Sequence, residues 1–240
     1  MYRKDPVEFA WHYWLNHRNK SPHKVLEDWQ TSDWQPDDFQ HFLYDTLYLA
    51  NKRHIENNKV IDLGCYIGIS SYSIMEVGAS YVTGIDVQSE AVNFAPMVLE
   101  KGGYTNCNFI TTDVDKSQTL PADHAVVVAS FFIKQILDHY RLFEQIKNSD
   151  CKTLILWDSI DDKEQLDHWN SDQPDVKPLK GNLTGTTQLV DKGMPNKKYI
   201  LDTFKDWTLT RDGIFEDTHE RLSTQGLIDP YCWTMTLTRD

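Results

Sequence analysis

A chain of 240 residues, 40% of them apolar, is long enough for one sizeable core and too short for two full domains. Its formal net charge of −12 and pI near 5.1 set up a field that repels phosphate backbones, and the densest cationic pairs, Arg3-Lys4 and Lys197-Lys198, read as solvated faces, so general nucleic-acid binding is excluded. No apolar run approaches the ~18–20 residues that span a bilayer, and the amino terminus lacks the charged-then-apolar order of a secretory signal; a soluble, cytoplasmic protein without membrane contact is expected. The four cysteines, Cys65, Cys107, Cys151 and Cys232, form no CxxC pair and no His-interleaved metal spacing, so no metal site is expected.

Val7, Ala10, Trp11, Trp14 and Leu15 recur at helical spacing, and Phe39, Leu43, Leu47 and Ala50 repeat the pattern after Pro36. With the polar stretch 19–35 between them, these predict a helical cap over 1–57, too poor in apolar residues to close a core alone, ahead of a main domain over 58–240. From Val60 onward, short β-branched runs alternate with helical stretches, which argues for a parallel sheet with crossover helices. The predicted strands are 60–63, 81–85, 108–111, 125–129 and 153–157. The first two predicted crossover helices, 70–77 and 89–101, end at Gly78 and Gly102-Gly103, residues suited to left-handed caps, and Pro96 is expected to kink the second or start it late. Asp138 is placed to cap a helix whose inward face is Leu142, Phe143 and Ile146. Residues 158–196, with Pro174, Pro178, Pro195 and glycine-threonine turns at Gly181 and Gly185, read as a long loop or lid with one helix near 162–169. A helix over 197–206 and a strand pair, 208–215 and 233–238, complete the chain.

The chemistry-bearing stretch is Val60-Ile-Asp-Leu-Gly-Cys-Tyr-Ile-Gly68, followed after one helix by Val82-Thr-Gly-Ile-Asp86. Each half is an apolar run ending in a carboxylate, and the first bends through glycines into a helix, which is how a parallel sheet builds a nucleoside pocket at its carboxyl edge. Gly64 and Gly68 are spaced by four rather than as GxGxxG, and Asp62 would repel a pyrophosphate while suiting a cationic amino group. The sequence resembles the class I S-adenosylmethionine-dependent methyltransferases, whose first motif is an acidic residue, one spacer and a short glycine loop. Tyr66 departs from that pattern, standing where a third glycine often occurs.

The resemblance implies an α/β fold with a doubly wound, seven-stranded, mostly parallel sheet, an enzyme that uses S-adenosylmethionine and releases S-adenosylhomocysteine, and a cofactor site spread over four places. Asp62 would hold the cofactor's amino group, directly or through water, with Gly64, Cys65, Tyr66 and Gly68 lining the cofactor in the turn that follows. Asp86 would accept from the ribose hydroxyls, with Val87 or Gln88 bordering the adenine. Asp113, with Val114 beside it, would accept from the adenine amino group, while Asp115 is read as solvent-facing. Ser130 and Phe131 would face the cofactor at the end of the fourth strand, with Phe132 or Lys134 toward substrate; for the two phenylalanines an ordinary place in the core is an equal alternative.

Methyl transfer from a sulfonium rests on alignment, with a base required only where the acceptor must first lose a proton. His139, after the fourth strand, and Asp158, ending the fifth, are the candidate catalytic bases. The acceptor is expected to be an oxygen or nitrogen on a small molecule. Absence of an Asp/Asn-Pro-Pro-Tyr/Phe sequence and of a Pro-Cys pair disfavours DNA. The tryptophans, Trp169 among them, suit either core packing or an aromatic lid. Two other readings stand beside this one: a nicotinamide-dependent oxidoreductase, which Asp86 permits, and a non-catalytic cofactor-binding subunit of an assembly.

Overall fold

A computed structural model of the protein describes residues 5–10, 44–117, 119–130, 133–160, 163–179, 192–216 and 231–240. The strands are β1 (Lys59–Leu63), β2 (Tyr81–Asp86), β3 (Cys107–Thr111), β4 (Val126–Ser130), β5 (Thr153–Ile160), β6 (Val176–Leu179), β7 (Lys192–Pro195), β8 (Thr208–Glu216) and β9 (Tyr231–Thr238). Seven of them make one mostly parallel sheet in the order β3-β2-β1-β4-β5-β9-β8, and β6 and β7 form a separate antiparallel pair. The helices are α1 (Lys52–Ile55), α2 (Ile69–Glu76), α3 (Ser89–Lys101), α4 (His139–Lys147), α5 (Lys163–Trp169) and α6 (Lys197–Thr203). The chain divides into two compact units, the first holding the described residues up to Thr112 and the second those from Asp113 onward.

In the first unit β1, β2 and β3 pair in parallel, with Asp62 opposite Gly84 and Gly84 opposite Phe109. β1 is buried from Val60 to Leu63, as a strand covered on both faces must be. α3 turns Ala91, Val92, Phe94, Ala95, Val98 and Leu99 inward at helical spacing. It runs unbroken through Pro96, which lies on the exposed face of the helix. α2 and α3 both stop as the glycines anticipate. Gly78 (φ +107°) and Gly103 (φ +84°) adopt the left-handed conformation, and the paired bonds Gly103 N–H to Glu100 O (2.8 Å) and Tyr104 N–H to Leu99 O (2.9 Å) close a Schellman cap. Of the amino-terminal segment, residues 5–10 are helical with Val7 and Ala10 buried, and Phe9 stacks on Phe94 at 6.1 Å. The stretch before α1 is wound more variably than a plain α-helix, as a π turn (Tyr44–Tyr48) and a 3-10 turn (Leu49–Asn51). Trp11, Trp14, Trp29 and Trp34 lie outside the described residues.

In the second unit β5 pairs in parallel with β4 and antiparallel with β9, and β8 pairs with β9 across a bulge between Leu209 and Arg211. β5 runs to Ile160, and the stretch expected to be a loop contains the β6–β7 pair; both strands carry prolines, which an isolated two-stranded ribbon tolerates because each strand is an edge. The turns at Gly181 and Gly185 lie outside the described residues. α6 ends at Thr203, three residues earlier than expected, and Asn196 caps it by accepting from the Tyr199 N–H at 2.7 Å. α4 buries Leu142, Phe143 and Ile146, with the Phe143 ring edge-on to Phe204 at 5.1 Å. Trp169 is buried and stacks on Trp233 at 4.2 Å, so it serves the core of this unit. Arg239 ties the last strand to the end of α4, donating to the carbonyls of Cys151, Lys147 and Ser149 while its guanidinium lies over Trp207.

Gly68 supplies the contact that sets α2 against α3. A Cβ there would sit 2.8 Å from the Ala95 Cβ, on a backbone at φ +86° that L side chains rarely adopt. Gly68→Ala is therefore expected to lower unfolding stability in urea by about 1–3 kcal/mol, with Ala95→Gly in the same chain recovering part of the loss; an unchanged midpoint for the single variant would contradict this packing.

Candidate functional site

β1 delivers the Asp62 side chain into the interior at the point where the chain turns toward α2, and the carboxylate is fully buried. Its Oδ2 accepts hydrogen bonds from the hydroxyls of Ser70 and Ser71, both at 2.6 Å, in the first turn of α2. Its Oδ1 is buried and, among the described residues, has no hydrogen-bond partner. Burial raises the carboxyl to about 6 against an ordinary 3.8, the two serine bonds opposing that shift and the charge of Asp86 adding to it. A buried carboxylate oxygen without a donor is uncommon in folded proteins and is open to a donor such as a water or a ligand's ammonium group.

The turn above Asp62 is built from left-handed residues. Gly64 (φ +77°) and Gly68 (φ +86°) flank Tyr66, which takes φ +46° although it carries a side chain. Tyr66 thus keeps the conformation of the glycine it replaces, at a strain of about 1 kcal/mol. The N–H groups of Gly64 and Cys65 both donate to the Ile85 carbonyl (2.8 and 3.1 Å), stitching the turn to the end of β2. At Gly68 the space a Cβ would take belongs to Ala95, so its bareness serves the packing of α2 against α3.

Asp86 ends β2 half-buried, its Oδ2 accepting from the Tyr66 N–H (3.0 Å) and its Oδ1 from the Gln88 N–H (2.8 Å). Burial raises its carboxyl, and these backbone bonds hold the shift down. The Val87 N–H adds to these backbone donors, so the carboxylate is fixed in direction. Val87, the next residue, is 62% exposed, an apolar side chain left beside a charged one. The Cys65 thiol, by contrast, is committed to the core: a Cβ on Gly84 would lie 2.8 Å from its sulfur and 2.5 Å from the Phe109 ring, and burial raises the thiol well above its usual range. Those two side chains fill the place left by Gly84, directly opposite Asp62 in the sheet, with apolar matter.

Within the second unit Asp113 opens a single helical turn, its carbonyl accepting from the N–H groups of Lys116 (3.0 Å) and Ser117 (2.8 Å). Its Oδ1 accepts from the Asp115 N–H at 3.1 Å and its Oδ2 pairs with the exposed Lys116 ammonium at 2.8 Å. Val114 is buried. Asp115 is not the solvent-facing residue expected: it is half-buried and accepts from the N–H groups of Leu137 and Asp138. Ser130, at the end of β4, and Asp158, in β5 opposite Trp233, are both buried. Phe131 and Phe132 lie outside the described residues, as does the side chain of Lys134.

His139 is buried at the start of α4, its Nε2 2.9 Å from the Ile133 carbonyl. That nitrogen must carry the proton, since a carbonyl only accepts, and burial lowers the ring below its usual range, so the imidazole is neutral with its lone pair on Nδ1. Among the described residues no group of His, Cys, Asp or Glu could hold a metal ion, and no helix is long and apolar enough to cross a membrane. Ser70, Ser71 and Arg141 carry structural bonds at these places that the sequence pattern did not mark; only the serine pair opening a helix after a glycine turn offered a readable sign.

Residues 54–206 match a family model described as a methyltransferase domain. The chain is 30% identical over 115 residues to a ribosomal protein L11 methyltransferase of Thermotoga neapolitana, covering 46% of this chain and 40% of that one. It is likewise 30% identical over 117 residues to a ubiquinone biosynthesis O-methyltransferase of Colwellia psychrerythraea, covering 48% and 45%. The chain thus spans less than half the length of these curated relatives. Among solved structures, the magnesium protoporphyrin IX methyltransferase of Synechocystis PCC 6803 with bound SAH shares the fold, with a TM-score of 0.60 at 14% identity, covering 98% of this chain and 95% of that one. An S-adenosylmethionine dependent methyltransferase from Mesorhizobium loti gives a TM-score of 0.56 at 16% identity, covering 82% and 100%.

The buried Asp62 makes stability depend on pH. Its folded carboxyl, raised to about 6 from 3.8, binds a proton more firmly than the unfolded one, so its contribution is full below the lower value and is lost as pH rises through the higher. Asp62→Asn can still accept from the serines without a charge. Its stability relative to the wild type is expected to rise by an amount on the order of 2 kcal/mol between about pH 4 and about pH 7 in urea titrations; parallel profiles would contradict the assignment.

Proposed function

The chain belongs to the methyltransferase domain family, and from that premise we propose that it transfers a methyl group from S-adenosylmethionine to an oxygen or nitrogen of a small molecule. The observation that carries this reading is the fully buried Oδ1 of Asp62, without a partner among the described residues, beneath a turn of left-handed residues. An ammonium group meets the need of that oxygen, and no pyrophosphate does, which sets the nicotinamide reading aside.

The bound sulfonium would supply the methyl group together with its own leaving group. Asp62 would hold the amino group, and in doing so exchange a costly lone buried charge for a pair. Asp86, fixed by the Tyr66 and Gln88 N–H groups, would accept from the two ribose hydroxyls, and the exposed Val87 would lie along the adenine. Asp113 would accept from the adenine amino group, either beside Lys116 or in its place, because an exposed ion pair is readily exchanged.

On the acceptor side, a small molecule is supported by the acidity of the chain, which opposes nucleic acid, and by relatives whose names include a ubiquinone biosynthesis O-methyltransferase. A protein acceptor has the L11 methyltransferases in its favour. His139 is neutral and could accept a proton only at Nδ1, while Asp158 is a buried carboxylate in β5; transfer to an acceptor already carrying a lone pair needs neither.

S-Adenosylhomocysteine at about a hundredfold excess over Kd is expected to raise the melting temperature by about 5–10 °C while NADH leaves it unchanged. Stabilisation by NADH alone would favour an oxidoreductase. Asp86→Ala is expected to weaken that binding by roughly tenfold or more, two charge-assisted hydrogen bonds being lost, with little change in the unliganded melting temperature. Equal affinity of variant and wild type in a calorimetric titration would remove the ribose assignment.

A further inference from the structure

The turn that begins at Asp113 is too short to hold itself. A single helical turn fixes several residues for one or two hydrogen bonds and is unfavourable in isolation. Here its far end is gripped by one side chain. The Arg141 guanidinium donates from Nη1 to the Asp115 carbonyl (2.7 Å) and from Nη2 to the carbonyls of Lys116 (3.1 Å) and Ser117 (2.5 Å), three consecutive acceptors. Gln145, one turn further along α4, adds its amide to the Ser117 carbonyl at 2.8 Å.

The grip is returned from the other side. Asp115 Oδ1 accepts from the N–H groups of Leu137 and Asp138 (3.2 and 3.1 Å) and its Oδ2 from Leu137 (3.2 Å), just ahead of α4. Asp138 caps the same helix by accepting from the Arg141 N–H at 2.9 Å. The circuit closes: turn carboxylate to helix start, helix cap to Arg141, Arg141 back to the turn. Asp113 lies at its free edge, with Oδ1 held by the Asp115 N–H inside the turn.

We infer that Arg141, with Asp115, is a positioning residue that sets the Asp113 carboxylate for recognition of the adenine amino group, so that base discrimination depends on a side chain that touches no part of the cofactor. This rests on the reading of Asp113 proposed above. The guanidinium fork spreads its donors over three carbonyls from two nitrogens in a fixed plane; a lysine ammonium in its place is a single centre without that rigid spread and leaves the turn looser.

The test compares the affinity of the whole chain for S-adenosylhomocysteine with that for S-inosylhomocysteine, in which a carbonyl oxygen replaces the 6-amino group. The wild type is expected to prefer the former by about tenfold or more, the scale of one hydrogen bond to a charged group. Asp113→Ala is expected to bring the two affinities close together, and Arg141→Lys to do the same while the unliganded melting temperature and the affinity for S-inosylhomocysteine stay near wild type. Arg141→Ala is the more severe form, and Arg141→Lys keeps the question open to test should it not fold. If Asp113→Ala erases the preference and Arg141→Lys retains it, the positioning role is overturned and the Asp113 assignment stands. If Asp113→Ala itself keeps the preference, the adenine reading fails and takes the positioning role with it.

Discussion

One carboxylate oxygen organises this site. Asp62 is buried in the first strand with two serine hydroxyls on one oxygen and, among the described residues, no partner on the other, in surroundings that push its carboxyl up toward neutrality. A lone buried charge is among the least favourable groups a protein can carry, and its retention makes sense when a cation completes it. The serines lower the penalty without removing it. They also fix which oxygen remains open.

The surroundings of Asp62 follow from that demand. Gly84 has no side chain, so Cys65 and Phe109 can fill the space opposite Asp62 with apolar matter. Gly64, Tyr66 and Gly68 take the left-handed conformation, and Asp86 bonds the Tyr66 N–H, which links the carboxylate proposed for the ribose to the turn over the carboxylate proposed for the amino group. In the second unit the same economy appears in another form: a turn of a few residues borrows its rigidity from α4 through Arg141 and Asp115.

Much of this was legible in the sequence because periodicity and glycine placement report local physics. The parallel strands, the Schellman ends at Gly78 and Gly103 and the Asp138 cap follow from rules that act within a few residues. The carboxylates at 62 and 86 were legible through their place at strand ends. What escaped depends on contacts far apart along the chain. Pro96 sits quietly in α3 because its face is exposed, which composition does not reveal. The β6–β7 pair is spelled in prolines and lysines, residues that argue against strands unless each strand is an edge. Asp115 looked like a surface acid because its partners lie more than twenty residues later, and Arg141 carried no motif at all.

The most direct measurement is a crystal structure of the chain with S-adenosylhomocysteine. The account predicts the amino nitrogen of the ligand either within about 3 Å of Asp62 Oδ1 or joined to it through a single water, and both ribose hydroxyls on Asp86. An amino group elsewhere, with the Asp62 oxygen still unpartnered beneath the turn, would contradict it.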